Sequence, residues 1–168
     1  PSEVEESLLA FLERAPTLGD CLLLNGDIFD FWFAYSRLIP RVGFHVAAEI
    51  RRVRKRMPVA MVGGNHDRWG EDFWERDLDV RVAPVRMELR VGDRRVLAIH
   101  GDGVTESHWS AVLLQRITRN PAFVTMWKHA PTAFAFWVVD RMTHSLGNTV
   151  REDEILRAAS ERQRAWGE

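Results

Sequence analysis

Three short polar segments in this chain each follow an apolar, β-type run. Asn25-Gly26-Asp27-Ile28-Phe29-Asp30 follows residues 21–24, Gly64-Asn65-His66-Asp67 follows 58–62, and His100-Gly101-Asp102-Gly103 follows 95–99. Strands that end side by side open into one crevice, so a carboxylate, an amide oxygen and an imidazole presented there would converge. Asp27 is the candidate carboxylate ligand, able to bridge two cations, with Asn65 and His100 as further ligands. Mixed oxygen and nitrogen donors suit Mn²⁺, Fe²⁺ or Zn²⁺ better than Ca²⁺, and the absence of cysteine from the set argues against a structural zinc. A pair of such ions, typically about 3.5 to 4 Å apart, activates water and neutralises phosphoryl oxygens. The chemistry expected is therefore hydrolysis of a phosphate ester or anhydride.

His66 adjoins Asn65 and can face a substrate without binding metal. A proton donated from its ring to the leaving oxygen, with Asp67 holding that ring, makes His66 and Asp67 the candidate catalytic pair. Asp30 and Asp102 are candidates to support the ligands from behind. Any one of these segments alone is most often an ordinary surface turn. Their common order, strand contexts and ligand types make the set specific.

The elements that must position these residues are legible in outline. Ser2 followed by Glu5 forms a capping box for a helix to about Arg14, striped by Leu8, Leu9, Phe11 and Leu12 and ended by Pro16 and Gly19. A second helix from about Val42 to Arg56 carries Val46, Ala47, Ile50 and Val53 on one side, with Arg51, Arg52, Arg54, Lys55 and Arg56 as a solvated face. The runs at 21–24, 58–62 and 95–99 are expected as buried strands, and Cys21 as a small buried side chain. Residues 80–91 read as extended chain, and Gly92-Asp93 as a hairpin turn. Alternating helix and strand implies an α/β sheet with some antiparallel pairing at the hairpin.

Length and composition fit one domain. The chain has 168 residues, 46% of them apolar, with a formal charge of −1, a balance that gives no reason to expect a general polyanion partner, so no nucleic acid is expected. The single cysteine, Cys21, allows no internal disulfide. No apolar run reaches the roughly 18 to 20 residues of a membrane span. After His100 the pattern becomes helical and rich in large apolar groups, among them Trp109, Phe123, Met126, Trp127, Phe134, Phe136 and Trp137, with Pro121 and Pro131 as breaks. Residues 1–104 are thus expected as an α/β core, 105–147 as a helical apolar insertion, and 148–168 as a charged C-terminal helix. His45, His129 and His144 are expected to be packing or surface residues.

Gly26-Asp27-Ile28-Phe29-Asp30-Phe31-Trp32-Phe33, Gly64-Asn65-His66-Asp67 and His100-Gly101-Asp102-Gly103 resemble signature blocks of the calcineurin-like metallophosphoesterases. Within that superfamily they look most like the UDP-2,3-diacylglucosamine pyrophosphatases of lipid A synthesis, with Asn120-Pro121 and Arg141-Met142 falling where that family's inserted lid has similar residues. The resemblance implies a sheet sandwich flanked by helices, with a helical lid. It implies two divalent metals, most simply Mn²⁺, bridged by Asp27, with Asn65 and His100 on the second ion and His66 in catalysis. It further implies cleavage of a UDP-linked, doubly acylated sugar to UMP and the acylated sugar 1-phosphate, by a cytoplasmic protein peripheral to the inner membrane. Trp109, Phe123, Trp127, Phe134, Trp137 and Arg141 are then the candidate lid and acyl-binding residues, since two acyl chains need an adaptable apolar groove.

The superfamily's D-x-H block does not precede Asp27, and no G-H-x-H follows His144. Their spacing places them before Pro1 and beyond Glu168, so the chain is expected to be an internal, incomplete portion of a longer enzyme. Two alternatives stay open: the same metal chemistry on another phosphodiester or monoester, with the helical region a plain subdomain core, or a truncated, inactive domain serving as a binding module.

Overall fold

A computed structural model describes residues 2–29, 32–33, 39–64, 66–67, 70, 72–101, 116, 120–131, 134, 137 and 141. The chain divides into two compact units, Pro1–His100 and Gly101–Glu168.

In the first unit, β1 (Leu22–Leu24), β2 (Val59–Val62) and β3 (Arg81–Ala83) form a parallel sheet in that order. Leu22, Leu23 and Leu24 lie opposite Val59, Ala60 and Met61, and Ala60 to Val62 lie opposite Arg81 to Ala83. β4 (Arg86–Val91) and β5 (Arg94–Ile99) form a separate antiparallel hairpin turned at Gly92. Successive side chains of a strand point to opposite faces, and here each face has its own core. Leu22, Leu24, Val59, Met61 and Val82 pack with the helices, whereas Leu23, Ala60, Val62 and Ala83 pack with Met87, Leu89 and Ala98 of the hairpin. Two sheet layers flanked by helices result, in agreement with the α/β sandwich expected.

The helical layer consists of α1 (Glu3–Leu18) and α2 (Phe44–Arg54). Ser2 caps α1 as its sequence suggests, its hydroxyl accepting from Glu5 N at 3.2 Å. Two details differ from expectation. α1 runs through Pro16 to Leu18, because a proline in the last turn forfeits only one intrahelical bond while the buried Leu12 and Ala15 hold the helix on the core. Phe11 is 46% exposed, so the buried stripe is narrower than hydropathy implies. In α2 the four apolar residues expected inside, Val46, Ala47, Ile50 and Val53, are all buried.

The basic run of α2 is only partly a solvated face. Arg54 donates to the Asp79 carbonyl at 2.7 Å and lies 3.2 Å from its carboxylate, and Arg51 reaches the Leu78 carbonyl at 3.3 Å. These bonds fasten a corner where Asp79 adopts φ 59° just before β3. Being exposed, each ion pair contributes at most about 1 kcal/mol.

Three other expectations need correction. Cys21 is exposed, because it precedes β1 instead of lying within it. Residues 80–91 are not one extended stretch: β3 adds to the parallel sheet, and β4 then leaves for the hairpin. The third ligand-bearing strand, β5, is not deeply buried, since Val96 and Leu97 are 38% and 50% exposed and only Ala98 is enclosed.

Between β2 and β3 the chain makes a π-helical turn, Phe73–Asp77, that hydropathy does not signal. It inserts Phe73 and Trp74 beside Phe29 and Trp32, with ring centroids 4.4 to 5.7 Å apart. This aromatic cluster lies directly behind the first two polar segments.

In the second unit, α3 (Pro121–His129) is capped by the Asn120 side chain, which accepts from Ala122 N at 2.8 Å. Pro121 therefore begins a helix, where its missing N–H costs nothing. Among the described residues, no helix is long and apolar enough to cross a membrane. The expected C-terminal helix, 148–168, lies outside the described residues.

Candidate metal centre

β1 and β2 are adjacent and parallel, so their C-terminal ends deliver the Asn25–Phe29 segment and the Gly63–Asp67 segment side by side. Gly26 and Asp27 both take left-handed backbone angles, φ 74° and 51°. Glycine adopts this region freely and aspartate tolerates it better than most residues. The turn reverses the chain at once and projects the Asp27 carboxylate beyond the sheet edge.

The two segments touch through glycine. A Cβ on Gly26 would stand 2.7 Å from both Gly64 Cα and His100 Nδ1, and a Cβ on Gly64 would overlap the Asp27 carboxylate and backbone nitrogen. Gly-Asp and Gly-Asn at these positions thus have a steric cause.

Asp67 joins the segments from beneath. It is fully buried, and its two carboxylate oxygens accept separately from Ile28 N at 2.7 Å and Gly64 N at 2.9 Å. Burial pushes its carboxyl above the ordinary range, the amide bonds from Ile28 and Gly64 oppose that rise, and the neighbouring Asp27 charge adds to it. Sequence reasoning gave Asp67 the task of holding the His66 ring; the bonds recorded for its carboxylate run to backbone amides. His66 is exposed, and its backbone is fixed at both ends. Its N–H donates to Asp27 Oδ1 at 3.0 Å, and its carbonyl accepts from Trp32 N at 2.8 Å.

His100 reaches the same place from the end of β5. Its Nδ1 lies 2.8 Å from the Asn25 carbonyl, and its Nε2 lies 3.1 Å from Asp27 Oδ2. A carbonyl can only accept, so the Nδ1 contact is a hydrogen bond when Nδ1 carries a proton; the Asp27 carboxylate is likewise an acceptor, and a cation between it and Nε2 would let that nitrogen face it unprotonated. Two donors each about 2.1 Å from one ion, at angles near 90° to 109°, stand about 3.0 to 3.4 Å apart. The Asp27–His100 separation falls in that interval, and a carboxylate oxygen with an imidazole nitrogen is a donor set that first-row divalent ions accept. The residues present therefore fit a divalent cation.

Asp27 and His100 are brought together; the third expected ligand, Asn65, lies outside the described residues, as do Asp30, Asp102 and Trp109. Among the described residues, no group of three His, Cys, Asp or Glu side chains converges. The residue that sequence reasoning passed over is Asn25, whose side-chain amide donates to the Ile99 carbonyl at 3.1 Å. Its signal was a polar amide placed between an apolar strand and Gly-Asp.

In the second unit, Phe123 stacks on Trp127 at 5.6 Å, Trp127 lies 6.4 Å from Phe134, and Phe134 stacks on Trp137 at 6.2 Å. Phe134 and Trp137 are 51% and 61% exposed. Arg141 is helical and exposed, and His129 bonds the Thr125 carbonyl within α3.

Comparison with known proteins gives the family. The family model for calcineurin-like phosphoesterases matches residues 5–158. The chain is 28% identical over 123 residues to a UDP-2,3-diacylglucosamine hydrolase of Porphyromonas gingivalis, covering 72% of this chain and 47% of that protein. It is 29% identical over 133 residues to a protein of the same name from Stenotrophomonas maltophilia, covering 78% and 53%, and 28% identical over 156 residues to one from Bordetella pertussis, covering 90% and 60%. The chain spans about half the length of these relatives. With a family match over most of its residues, the chain belongs to the calcineurin-like phosphoesterase family.

Proposed function

We propose that the protein to which this chain belongs is a metal-dependent hydrolase of a phosphate anhydride, acting on UDP-2,3-diacylglucosamine to give UMP and the acylated sugar 1-phosphate. The observation that carries the chemistry is the 3.1 Å approach of Asp27 Oδ2 to His100 Nε2 beside exposed His66. The substrate rests on the name shared by the relatives and on the exposed aromatic series Phe123, Trp127, Phe134 and Trp137.

Asp27, Asn65 and His100 would hold the ions, with Mn²⁺ the first choice for this donor set. Bound cations would supply an activated water and neutralise phosphoryl charge. The chain's own residues do the rest. Asp27 offers Oδ2 to the site while Oδ1 is held by His66 N, so the carboxylate cannot rotate away. Asp67 keeps the two ligand segments in register. His66, exposed and with its backbone tied to Asp27, would give a proton to the departing oxygen.

The aromatic series suits acyl chains, or contact with the surface of the inner membrane from the cytoplasmic side, where aromatic rings lie comfortably at the boundary. The test is an assay of the longer protein with Mn²⁺ and UDP-2,3-diacylglucosamine. UMP release supports the assignment; release only from simple diesters such as bis(p-nitrophenyl) phosphate would move it to another substrate; no hydrolysis of any phosphate with metal bound would favour a binding module.

A further inference from the structure

β1 and β5 carry two of the candidate ligands, yet they belong to different sheets, and the recorded strand pairings do not join them. Something else must fix the distance from Asp27 to His100. Asn25 makes two bonds across this gap. Its side-chain amide donates to the Ile99 carbonyl at 3.1 Å, and its own carbonyl receives His100 Nδ1–H at 2.8 Å. One residue therefore grips both the peptide that enters His100 and the ring itself. Gly26 completes the arrangement, since any side chain there would press on the same ring nitrogen.

We propose that Asn25 is a positioning residue for the metal centre, whose side-chain amide pins the end of β5 and whose carbonyl thereby holds the His100 ring as the Nδ1–H form, with Nε2 turned to Asp27. This rests on the metal-centre reading above. A ring nitrogen that must bind a cation needs its other nitrogen protonated and anchored, and loss of such an anchor weakens metal binding roughly 10- to 100-fold. The carbonyl of residue 25 survives every substitution. What a substitution removes is the bond to Ile99, which sets how near that carbonyl lies to the ring. Asn25 is exposed, so its side chain contributes little packing, and a purely structural role predicts no change at His100.

Asn25→Leu keeps the size and deletes the donor. Asn25→Ser keeps a hydroxyl donor too short to reach Ile99, and serves as the second variant should the first fold poorly. Two readouts are needed: the ¹⁵N shifts of the His100 ring in the metal-free protein, recorded where the ring is neutral, and the Mn²⁺ dissociation constant by calorimetry. The wild type should show a protonated Nδ1 and an unprotonated Nε2. In either variant the two shifts should move toward each other as the ring samples both tautomers, and the Mn²⁺ constant should rise at least about 10-fold. Wild-type ring shifts in both folded variants would overturn the proposal whatever the metal titration gives. If the wild type binds no Mn²⁺, the metal reading fails separately, while tautomer mixing in the variants would still establish that Asn25 orients the ring.

Discussion

A buried carboxylate that accepts backbone amides from two segments ties two loops together, and Asp67 shows what its burial implies. Its carboxyl is raised by burial, so the folded chain favours the protonated form more than the unfolded chain does. The stability this group contributes is full below its ordinary value of 3.8 and is lost as the pH rises through the elevated value. In the metal-free protein, the unfolding free energy of the wild type minus that of Asp67→Asn should therefore fall as the pH is raised from about 4 toward neutrality. Urea melts at a series of pH values measure this, and a flat difference would contradict the burial. Gly64 makes a steric counterpart. Gly64→Ala forces a methyl group onto the Asp27 carboxylate, and the expected cost is about 1 to 3 kcal/mol in urea melts. Asp27, Gly64 and His100 were recognisable from sequence because each follows an apolar run. The bonds from Asn25 to His100 and from Ile28 to Asp67 were not, since hydrogen bonds spanning 75 and 39 residues leave no local pattern.

At the scale of elements, the strands and α2 were legible because their apolar positions follow the periods of the structures they form. Val46, Ala47, Ile50 and Val53 recur at helical spacing and are all inside. The misreadings share one cause, which is that tertiary contacts decided them. Pro16 is carried by the packing of Leu12 and Ala15, and the π-turn at Phe73–Asp77 is fixed by the rings of Phe29 and Trp32. β5 looked like a buried strand, yet it lies at the outer layer with one face toward water. That arrangement separates two truncations on the hairpin. Met87→Ala should cost about 2 to 5 kcal/mol because Met87 fills the space between the sheets. Leu97→Ala, on the opposite face and half exposed, should cost under about 1 kcal/mol. Equal losses in thermal or urea melts would mean that the sheet layers are assigned to the wrong faces.

For the whole molecule, the α/β unit and the aromatic-rich unit have separable tasks in the proposed reaction. The first carries the candidate ligands Asp27 and His100; the second carries Trp127 and Trp137. Replacing both tryptophans with alanine in the longer protein should leave Mn²⁺-dependent hydrolysis of a small soluble diester within about twofold, while lowering kcat/KM for the diacylated substrate by about tenfold or more, as loss of two buried aromatic contacts would. Equal effects on both substrates would remove the aromatic series from acyl recognition. The fold class and the family were readable from three segments. The substrate expectation came from the resemblance of those segments and agrees with the name the relatives share; composition and periodicity carry no trace of it, because an apolar surface is nonspecific in sequence terms. The central claim is that Asp27 and His100 grip one divalent cation, and the most direct measurement is an anomalous-difference map from Mn²⁺-soaked crystals. A peak about 2.2 Å from both Asp27 Oδ2 and His100 Nε2 is expected; a map with no peak between these two side chains, at saturating Mn²⁺, would contradict it.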